Sequence, residues 1–207
     1  MGPAKLSSDP YNLIITGVGG QGNVLASRLV GTLLADHGYC VTIGETFGAT
    51  QRGGSVMSHV RVSSETTCSP LIPKGKAHMV VALEPTEALR VLMDYGNPAC
   101  QALSNTRPIY SVGVICGDQN YPSSEDLEKW MGEMTARHWL IHATQEALQM
   151  GSPIYGNIIL IGALAATGVL PLARQAFERV LSRTLSPDKV EANLTAYDKG
   201  YSMIACF

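Results

Sequence analysis

The sequence predicts an α/β fold: three layers, α/β/α, around a mostly parallel or mixed sheet, with a helical C-terminal third. Three observations predict it. An apolar run at residues 11–16 drives into a glycine-rich turn and straight into a helical pattern. Strand-like apolar runs recur at residues 40–47, 77–83 and 108–116, with helical stretches around them. Beyond Gly151-Ser152-Pro153 every periodic segment is helical.

Residues 1–10 read as a loose polar lead-in, and residues 11–207 read as one domain. The first strand is apolar on both faces, as in a buried parallel sheet. Gly17, Gly19 and Gly22 then follow G-x-G-x-x-G spacing, which gives the fold its Rossmann-like character. Val24, Leu25, Leu29, Val30, Leu33 and Leu34 carry a helix that ends at His37-Gly38. Residues 40–47 form the second strand, so a right-handed crossover joins the two.

Gly48 to Ser55 is a second glycine-rich loop with Arg52 inside it. Residues 56–62 alternate apolar and polar, and no helix fits before them. This strand is expected to run antiparallel or to lie at an edge, with His59 and Arg61 on a solvated or partner-facing side. Pro70, Pro73 and Gly75 mark a loop. Residues 77–83 are a strand, and Glu84-Pro85-Thr86-Glu87 opens a helix. Residues 94–107 are rich in breakers, and residues 108–116 read as a strand. A short helix follows to about residue 136, then a short strand at 138–142 and a helix at 143–150. Asn157 is expected to cap an all-apolar helix over 156–168, which must be packed on every side. Residues 171–183 are amphipathic, and the last helix starts at Pro187.

Composition excludes several classes. The net charge of −2 gives no bulk attraction to nucleic acid or to an anionic membrane. The longest apolar run is too short to span a bilayer. Five cysteines without a C-x-x-C pair argue against a zinc site, a cluster or a secreted disulfide frame. Reduced, mostly buried thiols and no apolar leader fit a cytoplasmic protein. Low charge leaves room for a subunit interface, including pairing with a second copy.

The first loop offers Gly17, Gly19, Gly20, Gln21, Gly22 and Asn23 as ligand contacts. Glycine lets a ligand approach the backbone, and a helix N-terminus attracts anions. A tight turn with glycines needed only for packing is the alternative. Gln51, Arg52 and Gly53 offer a second set. An arginine fork there suits phosphate or carboxylate, or else a solvated loop or an inter-subunit ion pair. Glu45, near the end of the second strand, suits a ribose hydroxyl, or holds Arg52 or the second loop. His138 and His142 lack partners at metal-ligand spacing. No nucleophile elbow, Walker lysine loop or serine triad is present, so no catalytic residue and no metal site are assigned.

Several stretches together resemble a known family. Gly17-Val18-Gly19-Gly20-Gln21-Gly22 and Thr50-Gln51-Arg52-Gly53-Gly54-Ser55-Val56, with Ser58-His59-Val60-Arg61, are similar to the gamma domain of 2-oxoacid:ferredoxin oxidoreductases. Leu83-Glu84-Pro85, Asn105-Thr106-Arg107-Pro108, Gly156-Asn157 and Ala196-Tyr197 extend the likeness from residue 11 to residue 201. Within that family the chain looks most like the beta subunit of the indolepyruvate type. The resemblance implies oxidative decarboxylation of a 2-oxoacid, here an arylpyruvate, to an acyl-CoA with ferredoxin as acceptor. It implies thiamine diphosphate and iron–sulfur clusters on a large partner subunit. This chain would be inactive alone, would cover the thiamine site and would help bind coenzyme A through the two glycine loops. The competing readings are a stand-alone NAD(P)- or flavin-binding oxidoreductase and a non-enzymatic nucleotide-binding scaffold.

Overall fold

Side-chain alternation along the first strand, β1 (Tyr11–Val18), sets the layers. Leu13 and Ile15 enter one apolar cluster, and Ile14 enters another on the opposite face. The computed structural model describes residue 3, residues 5–48 and residues 54–205. After β1 come α1 (Asn23–Asp36), β2 (Cys40–Phe47), β3 (Ser55–Ser63), β4 (Met79–Ala82), α2 (Pro85–Tyr95) and β5 (Gln101–Asn105). Then follow α3 (Val112–Ile115), α4 (Ser124–Met134), β6 (Arg137–Ile141), α5 (Ala143–Gln149) and a 3₁₀ turn, Pro153–Tyr155. Helices α6 (Gly156–Ala166), α7 (Arg174–Leu181) and α8 (Pro187–Ala205) complete the C-terminal third.

The strands form one sheet in the order β2-β3-β1-β4-β5-β6. Strand β3 runs antiparallel to β2 and to β1, while β1, β4, β5 and β6 pair in parallel. The sheet is therefore mixed. Helices α2 and α4 cover one face through Ala88, Leu89, Val91, Leu127 and Met131. Helix α1 and the C-terminal helices cover the other through residues such as Leu33, Ile159, Phe177 and Tyr197. This is the three-layer α/β/α fold expected from the sequence.

The tightest contact lies between α6 and α8. A Cβ placed on Gly200 would stand 1.8 Å from the Ile159 carbonyl oxygen, and one on Gly162 would stand 2.0 Å from that of Tyr197. The two backbones touch, which only glycine permits at such a crossing. Helix α6 is buried from Gly156 through Leu164, matching its lack of a polar face.

Three expectations need correction. Strand β3 runs antiparallel, one of the two alternatives expected, and is inserted between β2 and β1. Its His59 is not solvated but 1% exposed. Nδ1 of His59 accepts the Ile72 N–H at 3.3 Å, and its ring meets Tyr95 edge-on. Arg61 donates to Asn12 Oδ1 and to the Ser69 carbonyl, so it pins the 64–78 connection. Residues 108–116 hold no strand. The strand lies earlier, as β5 at Gln101–Asn105, and α3 follows with Val112 and Ile115 exposed by 76% and 73%. Of the four described cysteines only Cys100 is buried, where desolvation pushes its thiol up to about 11.

Candidate functional site

In a sheet of this kind ligands gather where parallel strands end and helices begin. The carboxyl ends of β1, β4 and β5 meet there in one seam. Gln21 accepts the Val18 N–H at 2.7 Å and donates to the Leu83 carbonyl at 3.0 Å. Asn105 donates to the same carbonyl at 3.1 Å and to Thr144 Oγ1 at 2.9 Å. Both amides are thus spent on contacts within the protein, each with the Leu83 carbonyl among them. Asn23 donates to the Val18 carbonyl at 3.2 Å. A Cβ on Gly17 would meet Gln21 Oε1 at 2.6 Å and Asn23 Oδ1 at 2.7 Å. Gly17 therefore makes room for those side chains inside the turn.

Gly22 closes the turn in the left-handed region, with φ of 88°. Its carbonyl accepts from Asn157 Nδ2 at 3.5 Å, across 135 residues of chain. Asn157 does not cap α6: it lies inside the first turn, 3% exposed, and Tyr155 is the cap. Asn157 Oδ1 and Asn23 Oδ1 are buried without a partner.

The amino end of α1 is open. No side chain caps it, and no acid stands in its first turn. Helix α2 differs, being capped by Glu84, and so does α4, capped by Ser123. The unspent N–H groups of α1 carry roughly half a positive charge. They border a cleft of ≈ 830 Å³. Gly20, Gln21 and Gly22 line one side; Arg107 and Ile109 line another; Leu148, Ile154 and Asn157 close it from the helical third. Among the described residues no carboxylate pairs with the exposed Arg107. The cleft thus joins two positive features, a helix end and a free guanidinium, to largely apolar walls. That suits an anionic ligand with an apolar body.

The sites expected from the sequence distribute unevenly. Gly20, Gln21 and Gly22 line the cleft, while Gly17 and Asn23 support it from beneath. The Gly19 N–H donates to the Gly54 carbonyl at 2.8 Å, so the stem of the second glycine loop lies against the first. Gln51, Arg52 and Gly53 fall outside the described residues. Glu45 is not brought to the cleft: it is half-buried on β2, two strands from β1, with Arg28 Nε 3.9 Å away. Arg107 is the residue that sequence reasoning missed as a site. Placing the strand at 108–116 put Arg107 before it, at the far edge of the sheet. With β5 ending at Asn105, Arg107 stands at the carboxyl edge with the glycine turn.

Fold and cleft together define a Rossmann-like α/β protein with an anion-receptive strand edge. The chain belongs to the pyruvate ferredoxin/flavodoxin oxidoreductase family, whose sequence model matches residues 12–203. It is 36% identical over 191 residues to indolepyruvate oxidoreductase subunit IorB of Pyrococcus horikoshii, covering 92% of this chain and 94% of that one. It is 35% identical over 191 residues to the subunit of the same name in Thermococcus kodakarensis, with the same coverage of each chain. The fold superposes on 2-oxoglutarate:ferredoxin oxidoreductase from Magnetococcus marinus with a TM-score of 0.74 at 21% identity. That match takes in 97% of this chain and 32% of the larger one, whose structure holds 2-oxoglutarate, coenzyme A and succinyl-CoA. No helix among the described residues is long and apolar enough to cross a membrane.

Proposed function

We propose that this chain is the small, accessory subunit of a 2-oxoacid:ferredoxin oxidoreductase that acts on arylpyruvates such as indolepyruvate. In this reading it lies over the thiamine-diphosphate site of a larger partner and helps to hold coenzyme A. The carrying observation is that the uncapped α1 amino end and Arg107, which no carboxylate pairs among the described residues, border one cleft.

Coenzyme A supplies the thiol that takes the acyl group. Its phosphates suit the N–H groups of α1 and the Arg107 fork, and its adenine and pantetheine suit the walls at Leu25, Ile109, Leu148 and Ile154. The residues present fit that molecule. They do not fit a cluster or a metal: among the described residues no three His, Cys, Asp or Glu side chains converge on a metal-sized site. In this reading thiamine diphosphate, the iron–sulfur clusters and the docking of ferredoxin belong to the partner. Tyr110, Val112 and Ile115 stand exposed just beyond the cleft lining and favour burial against that partner. A stand-alone NAD(P) or flavin enzyme is less well supported, because the acid such folds use for ribose, Glu45, sits away from the cleft.

The test is co-purification with the large subunit, followed by arylpyruvate- and CoA-dependent dye reduction. Arg107→Ala in the complex is expected to raise the KM for CoA about tenfold, the effect of losing one charge-assisted contact. Turnover by the single chain, or an unchanged KM, refutes the reading.

A further inference from the structure

We infer that Glu84 is a positioning residue for the cleft, holding residues 107–121 so that Arg107 stays at its mouth. The inference rests on the proposed role of that cleft in CoA binding. Glu84 is fully buried, and among the described residues no cation pairs with it. A carboxylate in that position is tolerated only when its lone pairs are filled by donors. They are filled. Oε2 accepts the Glu87 N–H at 2.9 Å and the Thr86 hydroxyl at 2.6 Å. Oε1 accepts the Tyr121 hydroxyl at 2.5 Å and the Ile109 N–H at 3.4 Å.

Capping α2 does not require a glutamate, because Ser123 caps α4 with a single hydroxyl. The longer side chain leaves one oxygen for the cap and sends the other across to the 107–121 segment. That segment has only the four residues of α3 as regular structure, so little of its shape is fixed locally. Its entry is fixed by the Thr106 N–H, which donates to the Ile141 carbonyl at 3.0 Å. Arg107 therefore sits between two tethers, Thr106 and Ile109. Burial, and next the Glu84 carboxylate, raise the Tyr121 pKa, so its hydroxyl stays a donor. One turn further on, Glu87 accepts from Ser55 at 2.6 Å and from Arg90 Nη2 at 2.6 Å. The start of α2 thus also anchors the stem of the second glycine loop.

The test uses the assembled complex carrying Tyr121→Phe, with Glu84→Gln as a second variant. Glutamine can keep the α2 cap but cannot fill both roles. Each is expected to raise the KM for CoA roughly fivefold, with kcat and the KM for the 2-oxoacid within about twofold of the parent. Amide exchange across 107–121 should quicken without CoA present. Added to Arg107→Ala, Tyr121→Phe should change the CoA KM by less than about twofold, since both act through one group. Unchanged exchange across 107–121, or equal losses for both substrates, overturns the inference. If Arg107→Ala alone leaves the CoA KM intact, the binding reading fails, and exchange alone decides whether Glu84 positions the segment.

Discussion

Replacing Gly200 by alanine tests how the C-terminal helices are held to the sheet. The new Cβ would lie 1.8 Å from the Ile159 carbonyl oxygen and 3.0 Å from the Ala163 nitrogen. Both obstacles are backbone, so no side chain can swing aside. Helix α8 must retreat from α6 by about 1.5 Å to restore ordinary contact, and a gap of that size forfeits more than half of each dispersion contact along the seam. Ile159, Ala163, Ala196 and Tyr197 all lie in that seam and are buried. Overpacking of this kind costs about 3 kcal/mol or more, and the better helix propensity of alanine returns about 1 kcal/mol. The net loss is about 2–4 kcal/mol. Thermal unfolding followed by circular dichroism should therefore show Tm lower by roughly 4–16 °C for a chain of this length. A variant as stable as the parent, or more stable by the propensity term alone, would refute the description of this crossing.

Two further outcomes follow from the same geometry. His59 and His78 each accept a backbone N–H at Nδ1, from Ile72 and from Asn12. Desolvation lowers both pKa values, with Lys76 adding to the effect at His78. The unfolded chain then binds protons that the folded chain refuses, so stability is complete above pH 6.5 and falls as pH drops below it. Urea titrations between pH 7 and pH 5.5 should show that slope, His59→Gln should shallow it, and a flat profile would contradict the assignment. Gly22→Ala forces alanine into the left-handed region and sets its Cβ 2.4 Å from Asn157 Nδ2. It should lower unfolding free energy by about 2 kcal/mol and raise the KM for CoA in the complex; a fully tolerated alanine would show that the turn has room to spare.

What the sequence reveals here is what depends on near neighbours. The β1–turn–α1 unit is legible because period, glycine spacing and helix start fall within twenty-odd residues. The start of α2 at Glu84-Pro85 is legible for the same reason. The place of β3 is not, because the β2–β3 hairpin inserts beside β1 through pairings far along the chain, such as Ile14 with His59. His59 reads as polar and exposed until the 64–78 connection and Tyr95 are folded over it. The Ile109–Ile115 stretch has the residues of a strand, yet it leaves Val112 and Ile115 in water, whereas the true strand β5 has only Ala102 and Leu103 as apolar members. That exchange hid Arg107. Asn157 looked like a cap because its contact with Gly22 spans 135 residues.

The central claim is that coenzyme A lies against the α1 amino end and Arg107 of this chain. Amide exchange of the assembled complex, recorded with and without CoA, tests it without any substitution. The account predicts slower exchange at residues 20–25 and 107–109 when CoA is added. Protection confined to the large subunit, with these two segments unchanged, would contradict it.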